Sequence, residues 1–389
     1  MLNYEHYIYQ LLRIAVGSMK AEDFRDILSA EDWKVIFREC VRHCVHGVAF
    51  EGLKRLKVLD AREGGCALCN MERDTWLNWA SKVGKLEKEN VNINAQCMQL
   101  CNKLLTSGKW CQVLKGQGLA LLYDNPLSRQ CGDIDIWVVD KNSFVDGKFS
   151  LSKNRRLLVS MSRRLTGRRE DVTYHHTDFH VFNDTMVELH FTPTWMFCPW
   201  HNKRLQRYFN NYIYSHINQY DERSNNASEC NIFIPTPDIE FNTIFCLVHI
   251  FRHVFQEGIG LRQITDYYEV ISHLEDSRKA DIQKTLKDLG LYKFTAALMW
   301  VMCEVFGNKD IVVCEPDEQE GRWLMKEIML AGNFGHEDER MKDVDVVSRS
   351  GRLKFNFIHS MKMFTHYPLE AAFDMPWRVC HYFWRKQFD

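Results

Sequence analysis

The chain has 389 residues, 46% of them hydrophobic and 26% charged, and its 50 basic and 51 acidic residues give a formal net charge of −1 at pH 7. That length supports two or three domains with sizeable cores, and the even charge balance excludes a global drive toward nucleic acid or membrane. The longest nearly uninterrupted apolar run, Phe294 to Cys303, is far short of the ~20 residues that span a bilayer, so no stable membrane insertion is expected. Met1-Leu2-Asn3-Tyr4-Glu5 lacks a basic region followed by an apolar run, which makes a cytoplasmic location the expectation.

Residues 1 to about 105 read as helices. Apolar residues recur at spacings of three and four over Tyr4–Val16, Ala21–Leu28, Asp32–Leu56 and Arg73–Thr106, with breaks at Gly17-Ser18 and Glu63-Gly64-Gly65. The 14 cysteines are scattered through the chain, so most are expected to be buried thiols. Cys66 and Cys69 form a single CxxC that could make a structural zinc site only with a second pair, such as Cys97 and Cys101. Cys40, His43, Cys44 and His46 fit the face of an amphipathic helix, where core packing is the expectation.

The pattern changes at Lys109. Val113 and Leu114 lead into Lys115-Gly116-Gln117-Gly118, which reads as a strand end with two glycines opening a short helix, Leu119 to Tyr123. Glycine permits close backbone approach, and a helix N-terminus offers free N–H groups to phosphate. Asp133 and Asp135 then begin a β-branched and aromatic segment, Ile134 to Val139. In a strand both carboxylates face one side and Ile134 and Ile136 the other, which is how a chain holds a divalent cation. Lys115 and Arg129 flank this strand and are candidates for a triphosphate, an ammonium beside a helix start and a planar guanidinium suited to bidentate contact.

The combination of LKG, a short helix ending in LYDNP and then R-x-x-GDIDI resembles the bacterial uncharacterised nucleotidyltransferase family of the polymerase-β-like superfamily, which is distantly similar to the aminoglycoside nucleotidyltransferases. The superfamily has Gly or Ser after the glycine, where this chain has Gln117, and its gap to the first acid is slightly shorter. Lys115-Gly116 agrees with the narrower family.

Further along, a helix is expected from Leu151 to Leu165 within a basic stretch that includes Arg155, Arg156, Arg163, Arg164, Arg168 and Arg169. It reads as a solvated face or as a rim that attracts an anionic substrate. Tyr174 to Phe182 alternates, with His176, Asp178, His180 and Phe182 on one face, and after a turn at Asn183-Asp184-Thr185 Glu188 and His190 share a face. A hairpin with a three-residue loop would pair Phe182 with Met186, His180 with Glu188 and Asp178 with His190.

The resemblance implies a role for this second segment. A third carboxylate comes from a later strand in that superfamily, and Glu188 in Glu-Leu-His is the matching position. Asp133, Asp135 and Glu188 are then the expected catalytic triad of acids binding Mg²⁺ (or Mn²⁺) in a two-metal in-line transfer, with Glu188 also able to accept the hydroxyl proton. A competing arrangement puts zinc on His176, His180, Glu188 and His190. Otherwise His180 and His190 position the acids or contact substrate.

Asp238 reads as the cap of a helix from Ile239 to Gln256. His249 and His253 have zinc-protease spacing, but residue 250 is Ile where that motif needs Glu. In LRQITDYYEVI, Arg262 and Asp266 lie one helical turn apart, a plain ion pair by spacing. The family has a histidine, Gly-Ile, Leu-Arg and Asp at matching positions, which implies that His253, Arg262 or Asp266 faces substrate. Helices continue over 275–310, polar stretches follow at Glu315 to Glu320 and Gly335 to Asp345, and Lys354 to Phe388 reads as a helix pair interrupted by Pro368 and Pro376.

The expected architecture is therefore α+β, a small mixed β-sheet nucleotidyltransferase core embedded between helical regions. Its parts are an N-terminal helical region (1–105), a polymerase-β-like core (106–192) and a C-terminal mostly helical domain (193–389). The expected activity moves an NMP group from an NTP to an acceptor that is a small molecule, carbohydrate, protein or RNA. The alternatives are an inactive nucleotide-binding or scaffold protein on the same fold, and a metal-dependent glycosyltransferase using the DxD pair. No nucleotide-binding βαβ array precedes that pair, which weighs against the glycosyltransferase.

Overall fold

The computed structural model describes residues 4–63, 70–225, 234–333, 357 and 360–388. The Cys66/Cys69 pair and the stretch from Gly335 to Asp345 lie outside the described residues. The chain begins with α1 (Tyr4–Ala15), α2 (Ala30–Arg42), α3 (His46–Glu63) and α4 (Arg73–Thr106). Only a 3₁₀ turn, Ala21–Asp23, forms where a helix over Ala21–Leu28 was expected. The single helix expected over Asp32–Leu56 is two, because Cys44 adopts φ 56° and the Val45 N–H turns back to the Cys40 carbonyl at 2.9 Å. The break has a tertiary cause. His43, fully buried there, accepts from the Leu261 N–H through Nδ1 at 3.3 Å and from the Arg262 N–H through its carbonyl at 3.3 Å. Cys40, His43 and His46 are core residues.

The chain then forms β1 (Lys109–Val113), the one-turn helix α5 (Gln117–Ala120), β2 (Ile134–Asp140), a two-stranded ribbon of β3 (Phe144–Val145) and β4 (Lys148–Phe149), α6 (Leu151–Thr166), β5 (His176–Asp178) and β6 (Val187–His190). One mixed sheet has the order β1-β2-β6-β5, with β2 and β6 parallel and the outer pairs antiparallel. Ile134, Ile136, Val138, Val187 and Leu189 bury one face of it against Cys97, Leu100 and Cys101 of α4 and Leu158 of α6. At ~1.5–3 kcal/mol for each large apolar side chain removed from water, this layer fixes which way the intervening acids point. Cys97 and Cys101 are packing residues within it.

The other face meets α7 (Pro199–Asn225) and α8 (Ile239–Gln256), where Trp137 lies 6.1 Å from both Phe209 and Tyr212 and 5.5 Å from Phe241. Asp238 caps α8, accepting from the Phe241 N–H at 2.7 Å. Next come α9 (Leu261–Ser272), α10 (Lys279–Asp288), α11 (Tyr292–Phe306) and α12 (Glu318–Ala331). Arg13 of α1 donates through Nε to the Val305 carbonyl of α11 at 2.9 Å, so the first and the later helices share one core. A C-terminal helix, Pro368–Arg385, runs through Pro376 without a break. Among the described residues no helix is long and apolar enough to cross a membrane. The fold is α+β.

The hairpin register differs from the expected one by two residues. His176 pairs with His190, Thr177 with Leu189 and Asp178 with Glu188. The strand ends at Asp178, and the next residue, Phe179, takes the Val181 N–H on its carbonyl at 2.8 Å in a tight turn, while His180 swings out to Glu170, 2.5 Å from Nδ1 to Oε2. A two-residue slip preserves which side chains share a face, so Glu188 and His190 still face the same way as Asp178.

Candidate active site

The parallel pairing of β2 with β6 sets Asp135 opposite Glu188 and Trp137 opposite His190. Because Ile134, Ile136, Val187 and Leu189 are committed to the core layer, the alternate positions Asp133, Asp135, Glu188 and His190 all turn toward α8. His190 Nε2 lies 3.1 Å from Asp135 Oδ1 and 3.2 Å from Glu188 Oε2, and its Nδ1 lies 3.2 Å from the Pro193 carbonyl. All three partners are acceptors, so the ring meets them fully only as the imidazolium, which donates from both nitrogens. Burial pushes the His190 pKa down, yet the hydrogen bonds and charges of Asp135 and Glu188 outweigh it and leave it raised.

Lys115 Nζ stands 3.0 Å from Asp135 Oδ1. Burial disfavours its charge, but Asp135, Asp133 and Glu188 together more than restore it and raise its pKa. Burial pushes the Glu188 carboxyl up, but the hydrogen bond from His190 and the charge of Lys115 hold it below the usual carboxylate range. Glu188 is therefore held ionised, and the acids are gathered around Lys115 and His190.

Two groups of potential metal ligands share His190: Asp135 with Glu188, and His175 with His176, each with its ligand atoms within 4.8 Å of one another. Asp135 Oδ2 is buried without a hydrogen-bond partner, a lone pair set in place and unused. Hard divalent cations take oxygen ligands, and the oxygens of Asp135 and Glu188, with Asp133 lining the same cavities, fit such an ion. Asp133 stands outside the tight cluster. The four-residue zinc set is not brought together, because His180 is turned onto Glu170.

Other residues singled out in the sequence take definite places. Gly116 adopts φ 59° and ψ −119° where the chain leaves β1, and one turn of helix follows it in place of the expected Leu119–Tyr123 segment. Arg129 is buried and bound to Asp266, Nε to Oδ1 at 2.6 Å and Nη2 to Oδ2 at 2.7 Å. The i,i+4 pair expected between Arg262 and Asp266 thus gives way to a longer-range one, and Arg262 Nη1 donates to the Gln130 carbonyl at 3.2 Å. His253 faces Glu257 at 3.3 Å.

Sequence reasoning missed His175 and Arg252. His175 precedes β5 and stands outside its alternation, yet its Nε2 accepts from Arg252 Nη1 at 2.9 Å and lies 3.2 Å from His176 Nδ1. His176 Nδ1 in turn lies 3.2 Å from Glu188 Oε2. Arg252 carried one legible signal, a charge inside the apolar run Ile250-Phe251-Arg252-His253-Val254-Phe255. Burial lowers the His176 pKa to about 4 and the Arg252 pKa to about 10.

Two cavities open on the acids and share Lys115 and Asp133. A small one of about 40 Å³ lies under Gly116, Asp135 and Asp266. A large one of about 750 Å³ runs from Glu188 past His176 and Arg252 to the C-terminal helix, where Trp377 stacks on Trp195 at 3.7 Å. Comparison with known proteins gives one family: the model described as uncharacterised nucleotidyltransferase matches residues 29–307. No curated protein and no solved structure matches the chain.

Proposed function

The chain belongs to the uncharacterised nucleotidyltransferase family, and from that premise we propose that it moves an NMP group from an NTP to an acceptor, with Asp133, Asp135 and Glu188 holding Mg²⁺ or Mn²⁺. The observation that carries this reading is the register pairing of Asp135 with Glu188, with His190 between them and a buried Asp135 oxygen left without a partner. Bound there, a divalent cation would polarise the attacking hydroxyl and offset charge on the transferring phosphoryl group.

The protein's own groups divide the remaining work. Lys115 and His190 compensate the charge that Asp135 and Glu188 bring into a buried site. A carboxyl held as low as that of Glu188 is a better ligand than proton acceptor, since general bases work best with a pKa near the operating pH. Asp133 lines both cavities that open on the acids. The large cavity gives room for nucleotide and acceptor together.

The test is incubation of the protein with Mg²⁺, each α-labelled NTP and a cell extract, followed by identification of what becomes labelled. Transfer of label to a discrete acceptor supports the reading. Absence of labelling, in a protein that binds none of the NTPs, favours the scaffold alternative, and labelling from a nucleotide sugar favours the glycosyltransferase.

A further inference from the structure

Arg252 lies near the C-terminal end of α8, four residues before Gln256, with 7% of its surface exposed. Its guanidinium sits over the Trp195 ring at 5.5 Å, and its Nη1 donates to His175. His175 is in the neutral form, its pKa driven well below the ordinary value by burial and by the charge of Arg252. Arg252 Nε is buried and meets no partner. Among the described residues no carboxylate stands within ion-pair distance of Arg252, whereas Arg129 has Asp266, Arg378 has Asp374 at 2.7 Å and Lys115 has Asp135.

The carboxylates of Glu188, Glu257 and Asp135 act on Arg252 only from beyond ion-pair distance, and a buried cation without a direct partner is costly to keep. This one borders the large cavity, which also opens onto Asp133 and Glu188. We propose that Arg252 anchors the triphosphate of the NTP, so that α8, and not the loop before β2, supplies the guanidinium that binds phosphoryl oxygens. The inference rests on the nucleotidyl-transfer reading and names the residue that seats its donor. Arg129, the candidate nearer in sequence, has two of its donors committed to Asp266. His175 acts through Arg252 as a positioning residue, holding the guanidinium at Nη1. Trp195 covers one face of the guanidinium, which leaves the edge, where the N–H bonds lie, for bidentate in-plane contact with phosphate.

The experiment measures binding of inorganic tripolyphosphate, in Mg²⁺, to the full chain by calorimetry, with NTP as competitor. Losing charge-assisted hydrogen bonds to one guanidinium weakens binding by about ten- to hundredfold. Arg252→Met should show that loss, Arg252→Lys a smaller one, and Arg322→Gln, an exposed residue of α12, none. NTP should displace the tripolyphosphate. Unchanged binding in a folded Arg252→Met overturns the inference, and if that variant still transfers label from NTP the nucleotidyl-transfer reading survives it. Arg252-dependent binding that NTP does not displace assigns the anion to a phosphorylated acceptor and overturns the inference as well. Arg252-dependent, NTP-displaced binding without any label transfer by the wild type keeps the anchor and sinks the transfer. Should both Arg252 variants fail to fold, tripolyphosphate must protect the Arg252 peptide of the wild-type protein from phenylglyoxal, and undiminished labelling overturns the inference.

Discussion

Arg129 and Asp266, 137 residues apart, meet through two parallel hydrogen bonds in a buried setting, and Tyr123 adds a third to Asp266 Oδ1 at 2.6 Å. The clamp ties the loop before the acid strand to α9. Removing one partner leaves the other buried and uncompensated, so Asp266→Ala should lower stability by about 3–5 kcal/mol. Arg129→Met combined with Asp266→Leu should recover much of that loss, because paired replacement of a buried ion pair by apolar groups is often neutral. Urea unfolding of Asp266→Ala and of the double variant checks both statements.

Gly116 occupies backbone space that other residues enter with strain, and a Cβ there would stand 3.2 Å from the Asp133 carbonyl oxygen. Gly116→Ala should cost about 1–3 kcal/mol and reduce transfer further than stability, because the strain falls between Lys115 and the acid strand. Gly108 also has positive φ, at 73°, but with nothing within 4 Å of a Cβ. Gly108→Ala should therefore affect stability alone, as thermal melting and transfer rates on the pair would reveal.

Glu370, on the C-terminal helix, accepts from the Phe197 and Cys198 N–H groups at 2.8 and 3.0 Å and from His201 Nδ1 at 2.7 Å. It joins that helix to the start of α7, beside the wall of the large cavity. Glu370→Ala leaves two buried N–H groups unpaired, at about 1–3 kcal/mol each. Faster amide exchange at Phe197 and Cys198, together with earlier proteolytic cutting in the C-terminal helix, is the expected outcome.

Acid should destabilise the fold in a defined window. Burial lowers the pKa of His46, His176 and His381 to about 4, so between their ordinary value of ~6.5 and about 4 the unfolded chain binds protons that the native one does not. Stability then rises with pH across that window and falls as pH drops through it. His190, with its pKa raised, opposes this. Its contribution is fully present below ~6.5 and fades as pH climbs through its native value. For His46, whose carbonyl but not whose ring serves the Trp79 indole at 2.8 Å, the effect is on the order of 3 kcal/mol. Denaturant midpoints between pH 4 and 7 should show a flatter slope in His46→Gln than in the wild type.

Much of the acid site was legible in the sequence because strand periodicity is local. Two aspartates one residue apart in a β-branched run must share a face, and Glu188 and His190 must share another. Which strands would lie side by side came from family resemblance, since periodicity does not specify pairing. What was misread depended on distant partners. The two-residue register error arose because the Phe179–Val181 turn and the Glu170 contact that ends β5 leave no mark in the alternation. The break between α2 and α3 answers to α9, more than 200 residues later, through His43 and Leu261. Arg129 stands near the acids in sequence, but its pairing with Asp266 is set by the packing of α9. Arg252 and His175 become visible only once α8 is laid across the sheet.

The most direct test of the account is transfer of label from α-labelled NTP in Mg²⁺ by the wild type, Asp135→Asn and Glu188→Gln, each verified as folded by circular dichroism. The account predicts transfer by the wild type and background levels in both variants, since each substitution removes an anionic oxygen from a pair facing one another across β2 and β6. Transfer at the wild-type rate by a folded Glu188→Gln would contradict it.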